Sequence, residues 1–375
     1  MAGRAGAQGR EGPPGARGLE PARRVGLAVV GTGSWGVTLA VLAARNAAGG
    51  VDEGQGGALL LARTAEEADS LRQAGCSPRL PGVAFPPRLT VTADASALRQ
   101  ASVVLFVVPA QSMRANVQAV AGHLDGGAIL VSASKGLEIG SAWRMSEVIA
   151  QEVTRAAGTA EGADGVTRRV AALSGPNLAR EIAAGKAAST VVACPDEQAA
   201  ARVQEALMAP HFRVYTSTDV TGVELGGALK NVIALGAGMA DGLQAGDNGK
   251  AALMTRGLAE IARLGKAAGA EPLTFSGLAG LGDLIATCMS GLSRNRTLGE
   301  ALARGASLSA AQAGMGQVTE GVTTTVAALQ LARRYSVEMP ITALMHRVLF
   351  EGLSPGEAGQ ALMQRDPKRE LEGFL

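Results

Sequence analysis

An apolar run, Val25-Gly-Leu-Ala-Val-Val30, passes directly into Gly31-Thr-Gly33-Ser-Trp-Gly36, and this junction constrains the fold more than any other stretch of the chain. The run predicts a buried parallel strand, and residues Ser34 to Asn46 continue as a helix. A G-x-G-x-x-G between strand and helix suits a dinucleotide. Gly31 permits the tight turn, Gly33 lets the backbone approach a pyrophosphate at the helix N-terminus, and Gly36 lets helix and strand pack closely. A chain with 51 glycines meets such a pattern by chance, and a plain strand–helix turn is the alternative. The position after a strand, before a helix and at the start of the ordered chain carries the dinucleotide reading.

Alternation continues beyond the motif. Further strands are expected at 58–61, 103–107, 128–131, 170–173 and 190–193, with a helix over 113–123. Strands alternating with helices predict a Rossmann-like, mostly parallel sheet covered on both faces. Near Thr218 the character changes to long Ala/Leu/Gly segments. These predict helices over 220–242, 248–269, 278–289, 294–303 and 319–335 and no strand. The expected organisation is a disordered tail (1–24), a dinucleotide-binding α/β domain (25–217), an all-helical substrate and catalytic domain (218–350) and a charged, peripheral tail (351–375). The Gly-rich loop from Gly49 to Gly57 reads as mobile.

Composition narrows the function classes. Residues are 47% hydrophobic but only 3% aromatic, so the core is aliphatic. A net charge of +2 points to neither nucleic acid nor a membrane surface. Cys76, Cys194 and Cys288 are too scattered for a disulfide framework or a zinc site and read as reduced cytoplasmic thiols. No metal-ligand constellation is visible, and no apolar run is long enough to span a bilayer. Residues 1–24 lack the apolar segment of a secretory signal.

The second strand ends Leu61-Ala62-Arg63-Thr64, without the acid that NAD-selective sites place there. Arg63 either pairs with the 2′-phosphate of NADP or is a solvated arginine opening the next helix, so NADP is favoured over NAD. Open α/β sheets bind ligands beyond the carboxyl ends of their strands. The segments 108–111, 134–138 and 174–177 fall there. Only six lysines occur in the chain, which makes each informative. Lys135 ends an apolar strand and faces either a cleft or solvent. Lys230 lies in a small-residue helical stretch that would desolvate an ammonium and lower its pKa, unless the side chain snorkels to water. Ser293-Arg294-Asn295-Arg296 opens a helix and suits a phosphate, or is a capping turn with solvated arginines. None of His123, His211 and His346 sits in a cleft segment, which leaves lysine to move a hydroxyl proton, Lys230 ahead of Lys135.

These segments in this order resemble the bacterial-type NAD(P)-dependent sn-glycerol-3-phosphate dehydrogenase family. The resemblance runs from about Val25 to Leu349. It rests on the Gly-rich turn at 31–36, Leu-Pro-Gly at 80–82, Val-Pro-Ala-Gln at 108–111, Ser-Lys-Gly-Leu-Glu at 134–138 and Leu-Ser-Gly-Pro at 173–176. It continues with Leu-Lys-Asn at 229–231, Gly-Leu-Gly-Asp-Leu at 280–284, Ser-Arg-Asn-Arg at 293–296 and Glu-Gly-Val at 320–322. It implies interconversion of dihydroxyacetone phosphate and glycerol 3-phosphate, in a cytoplasmic homodimer that supplies phospholipid synthesis. It implies cofactor contacts at Ser34, Trp35, Arg63, Lys135, Ala179, Arg294, Val318 and Glu320. Substrate contacts are implied at Lys135, Gly175, position 177, Asp283, Ser293, Arg294 and Asn295, with Lys230 as proton acceptor. Two departures stand out: position 177 is Asn177 where the family has Ser or Thr, and the tail before Val25 is long. A related β-hydroxyacid or sugar-acid dehydrogenase shares the two-domain plan, but the Ser293-Arg294-Asn295 cluster argues against it. A non-catalytic NAD(P)-binding sensor would not need both lysines.

Overall fold

The computed structural model describes residues 25–49, 56–158, 163–315, 319–367 and 369–370. The tail 1–24, part of the Gly-rich loop and the last five residues lie outside them. The first part of the described chain alternates strands and helices. In order these are β1 (Val25–Val30), α1 (Ser34–Gly49), β2 (Ala58–Leu61), α2 (Ala65–Ala74), β3 (Cys76–Ser77), β4 (Leu80–Ala84), β5 (Leu89–Thr92) and β6 (Ala101–Phe106). There follow α3 (Met113–Val120), β7 (Ile129–Ser132), α4 (Met145–Ala157), α5 (Ala163–Thr167), β8 (Val170–Ser174), α6 (Ala179–Ala183), β9 (Ala188–Ala193), α7 (Glu197–Leu207) and β10 (Phe212–Ser217). Eight strands form one sheet in the order β10-β9-β8-β7-β6-β1-β2-β5. Pairing is parallel except between β8 and β9, and β3 and β4 form a separate antiparallel ribbon.

Apolar side chains on both faces explain why the strands read as continuous apolar runs. Leu27 and Val29 of β1 point into one layer with Leu60, Leu105 and Val131. Ala28 and Val30 point into the opposite layer with Leu59, Leu61, Phe106 and Leu130. Strand β10 was not anticipated. It lies at the sheet edge, where Phe212 and Val214 are buried while Arg213 and Tyr215 are exposed, so its sequence carries no apolar run.

Beyond β10 the described residues form helices: α8 (Val220–Gly242), α9 (Gly246–Ala267), α10 (Asp283–Met289), α11 (Arg294–Ala303), α12 (Leu308–Ala313), α13 (Glu320–Arg334), α14 (Pro340–Phe350) and α15 (Pro355–Met363). Helix α8 is the central one, buried on every side from Gly222 to Met239. Its small residues let neighbours close in. A Cβ on Gly238 would fall 1.9 Å from the Arg296 carbonyl oxygen of α11. The expected helix over 278–289 begins instead with a π turn, Leu278–Gly282, and becomes α-helical at Asp283. Helices α14 and α15 had no counterpart in the sequence reading. Helix α15 starts in a Ser354/Glu357 capping box and buries Ala358. No helix among the described residues is long and apolar enough to cross a membrane.

Candidate active site

The Gly-rich turn is built as a cradle. Gly31 has φ +118°, and a Cβ there would fall 2.4 Å from the Val107 carbonyl oxygen, which leaves glycine as the residue that fits. Gly36 packs directly under the Gly31 carbonyl. Gly33 is different: a Cβ on it would meet nothing within 4 Å, so the N-terminus of the 16-residue helix α1 opens onto free space. That is where a pyrophosphate needs room and N–H donors, so these residues fit a dinucleotide. Ser34 opens α1 and donates from Oγ to the Arg79 carbonyl at 2.9 Å. Trp35 packs edge-on against Phe212, with ring centroids 6.3 Å apart, and its buried Nε1 has no partner. Arg63 is exposed just past β2.

Two further cofactor candidates lie on later elements. Ala179 is the first residue of α6, and its carbonyl accepts from Thr38 Oγ1 at 3.4 Å. Glu320 starts α13, and its Oε1 accepts the Ala110 backbone N–H at 3.1 Å, tying α13 to the segment after β6. Its Oε2 is buried, unpartnered and turned toward Gly136. Burial pushes the Glu320 carboxyl above the usual range, opposed by the Ala110 N–H and by Arg294. An orphaned buried oxygen beside the ends of β6 and β7 is a second observation that fits a polar ligand there. Val318 lies outside the described residues.

At the carboxyl ends of the same strands two lysines converge on one carboxylate. Lys135, three residues past β7, donates from Nζ to the Gly175 carbonyl at 2.8 Å and to Asp283 Oδ2 at 2.7 Å. Lys230, midway along α8, donates to Asp283 Oδ1 and to Thr287 Oγ1, the latter at 2.6 Å. Asp283 is 1% exposed and sits where the π turn becomes α10, a backbone irregularity often found at functional sites. Desolvation lowers the Lys230 pKa to about 8; the Asp283 charge opposes that fall and the Lys135 charge adds to it. An ammonium so placed exchanges its proton near neutral pH, as a general acid or base requires.

The remaining predicted residues divide. Ser293 caps α11, its Oγ accepting the Arg296 N–H at 3.3 Å, so that hydroxyl already serves the helix. Arg294 is exposed at the first position of α11, where desolvation by surrounding protein lowers its pKa and Glu320 opposes the shift. Asn295 turns inward: Nδ2 donates to Asn231 Oδ1 and Oδ1 accepts the Gly321 N–H, both at 2.9 Å. It links α11, α8 and α13. Asn177 Nδ2 donates to Thr190 Oγ1 at 2.9 Å, while its buried Oδ1 has no partner. The larger amide thus anchors on β9 and still leaves one acceptor unspent.

Sequence reasoning missed Thr287 and the bridging part of Asn231, whose Nδ2 reaches the Lys135 carbonyl at 3.4 Å. For Thr287 a signal existed: it follows Asp283 by four positions, one helical turn on the same face.

Residues 26–200 match the family described as NAD-dependent glycerol-3-phosphate dehydrogenase N-terminus, and residues 219–360 match the corresponding C-terminus. The glycerol-3-phosphate dehydrogenase (NAD(P)+) of Thermobifida fusca is 48% identical over 349 residues, covering 92% of this chain and 99% of that protein. The protein of the same description from Desulfitobacterium hafniense is 46% identical, with coverage of 92% and 93%. Among solved structures, glycerol-3-phosphate dehydrogenase from Coxiella burnetii superposes with a TM-score of 0.81 at 35% identity, covering 91% of this chain and 99% of that one. A ketopantoate reductase from Ralstonia eutropha shares the fold alone, with a TM-score of 0.54 at 16% identity.

Proposed function

Because this chain belongs to the NAD-dependent glycerol-3-phosphate dehydrogenase family, we propose that it interconverts dihydroxyacetone phosphate and sn-glycerol 3-phosphate with Lys230 carrying the proton. It is an NAD(P)-dependent oxidoreductase, and Arg63 beyond β2 favours NADP. The observation that carries the proton assignment is the buried Lys230, paired with Asp283 and held near a pKa of 8.

Ser34, Trp35, Arg63, Ala179 and Glu320 would hold the coenzyme, with Gly31, Gly33 and Gly36 shaping its pyrophosphate seat; the family resemblance adds Val318, which lies outside the described residues. A nicotinamide bound there would supply or accept the hydride at the second carbon of the substrate. In the reducing direction protonated Lys230 polarises the ketone and gives its proton to the forming alkoxide oxygen. In the oxidising direction neutral Lys230 removes the hydroxyl proton. Asp283 orients Lys230 and is shared with Lys135, whose remaining donor steadies charge on the same oxygen. Gly175 and Asn177 wall the pocket. Arg294, with the N–H groups that open α11, grips the phosphate, so binding energy away from the reacting carbon fixes its position. Ser293 and Asn295 hold that helix end in place and complete the substrate-binding cluster with Arg294.

On this reading the enzyme is a cytoplasmic homodimer that supplies glycerol 3-phosphate for phospholipid synthesis. Mixing the protein with NADPH and dihydroxyacetone phosphate tests the central claim. Loss of the reduced nicotinamide's near-ultraviolet absorbance, dependent on the phosphorylated ketone, is the expected result. Steady absorbance with properly folded protein and either coenzyme would refute it.

A further inference from the structure

Glu67 stands on the seam between the two segments that frame the adenosine ribose in a dinucleotide-binding sheet, the Gly-rich turn and the end of β2. Its Oε1 accepts from Thr32 Oγ1 at 2.6 Å, inside Gly31-Thr32-Gly33. Its Oε2 accepts from the Arg63 backbone N–H at 3.2 Å, two residues past the strand end. Glu67 itself is in the first turn of α2, and Thr64 caps that helix by accepting the Glu67 N–H at 3.2 Å. The carboxylate is half-buried, Thr32 is buried and the Arg63 side chain is exposed. The end of β2 carries no acid, yet the fold returns one to that place from a helical turn further on.

We propose that Glu67 is a coenzyme-discriminating residue: its negative charge disfavours the 2′-phosphate of NADP and offsets the attraction of Arg63. This rests on the coenzyme reading given above. Each carboxylate oxygen retains a second lone pair beyond the bond it makes to the protein, so the group also accepts from a ribose 2′-hydroxyl. Arg63 and Glu67 then act on the same point with opposite sign. Removing one charge moves the NADPH to NADH preference in the direction opposite to removing the other.

The test is calorimetric titration of the substrate-free protein with NADPH and with NADH, which reads binding and not turnover. Glu67→Gln keeps the shape and an acceptor while removing the charge. The ratio of the two Kd values is expected to move toward NADPH by roughly tenfold at low ionic strength, and the shift is expected to shrink as salt screens it. Thr32→Val removes the hydroxyl partner and leaves the carboxylate, and its ratio is expected to stay within about twofold of wild type. Equal changes for both coenzymes in Glu67→Gln would overturn the assignment. So would a Thr32→Val shift as large as that of Glu67→Gln, because loop geometry and not charge would then set the preference. If wild-type protein bound neither coenzyme, the coenzyme reading itself would fall; binding of both with an unmoved ratio would remove the Glu67 assignment alone.

Discussion

Lys135 Nζ donates to Asp283 Oδ2 across 2.7 Å, joining a lysine beyond the sheet to a carboxylate at the head of a helix in the other half of the chain. The second oxygen of that carboxylate accepts from Lys230. Asp283 is therefore the shared counter-ion of two ammonium groups, and the three side chains keep a net positive charge while both lysines are protonated. Asp283→Asn should leave both uncompensated, and the loss of stability should be about 3–5 kcal/mol, the usual cost of removing one partner from a buried ion pair. The Asp283 charge also raises the Lys230 pKa, so the pH midpoint for glycerol 3-phosphate oxidation should move below its wild-type position. Chemical denaturation and a pH–rate profile measure the two effects. A profile that does not move would separate Asp283 from Lys230.

Lys230→Ala should remove most of the turnover, by roughly 10²–10⁴-fold, the range typical for loss of a general acid or base. Coenzyme Kd should change little, since the role falls in the chemical step. Lys230→Arg should restore little, because a guanidinium keeps its proton at every working pH. Single-turnover kinetics beside calorimetric binding checks this. A folded Lys230→Ala protein within about tenfold of wild type would hand the proton to another group.

The direction of the pH dependence follows from which form of Lys230 each reaction consumes. Oxidation needs the neutral amine, so kcat should rise with pH and level off above about 8. Reduction needs the ammonium, so kcat should be highest below that value and fall as pH rises through it. Profiles measured in both directions with saturating coenzyme should therefore be mirror images, and parallel profiles would contradict the assignment.

Arg294→Ala should raise the Michaelis constant for dihydroxyacetone phosphate by one to two decades, about 1.5–3 kcal/mol for a lost charge-assisted hydrogen bond. Activity on unphosphorylated dihydroxyacetone should scarcely change, because the lost partner is absent from that substrate. Asn295→Ala gives a contrast. Asn295 ties three helices together, so its removal should lower thermal stability and reduce activity on both substrates. Equal damage to both substrates in Arg294→Ala would assign Arg294 to structure or coenzyme.

The opening of the fold was legible because its signals are local. An apolar strand, three spaced glycines and the first turn of a helix occupy twelve consecutive residues, Val25 to Gly36, and each states its own backbone requirement. The core of α8 was legible for a similar reason: a long stretch of Gly, Ala and Leu leaves a lone lysine conspicuous. Edge strand β10 was not, since half its side chains face water and its apolar pattern is thinned to alternate positions.

By itself the sequence determined the dinucleotide turn, the division of the chain into sheet and helices, and the lysines worth watching. Only the tertiary structure decided that Lys135 and Lys230 share Asp283, across separations of 148 and 53 residues. It alone turned Asn295 inward and returned Glu67 to the Gly-rich turn. The physical reason is that backbone preference and apolar periodicity act over one or two turns of chain. The partner of a buried charge is whatever the packing of distant elements brings within about 3 Å of it, and desolvation then sets how strongly that partner is needed.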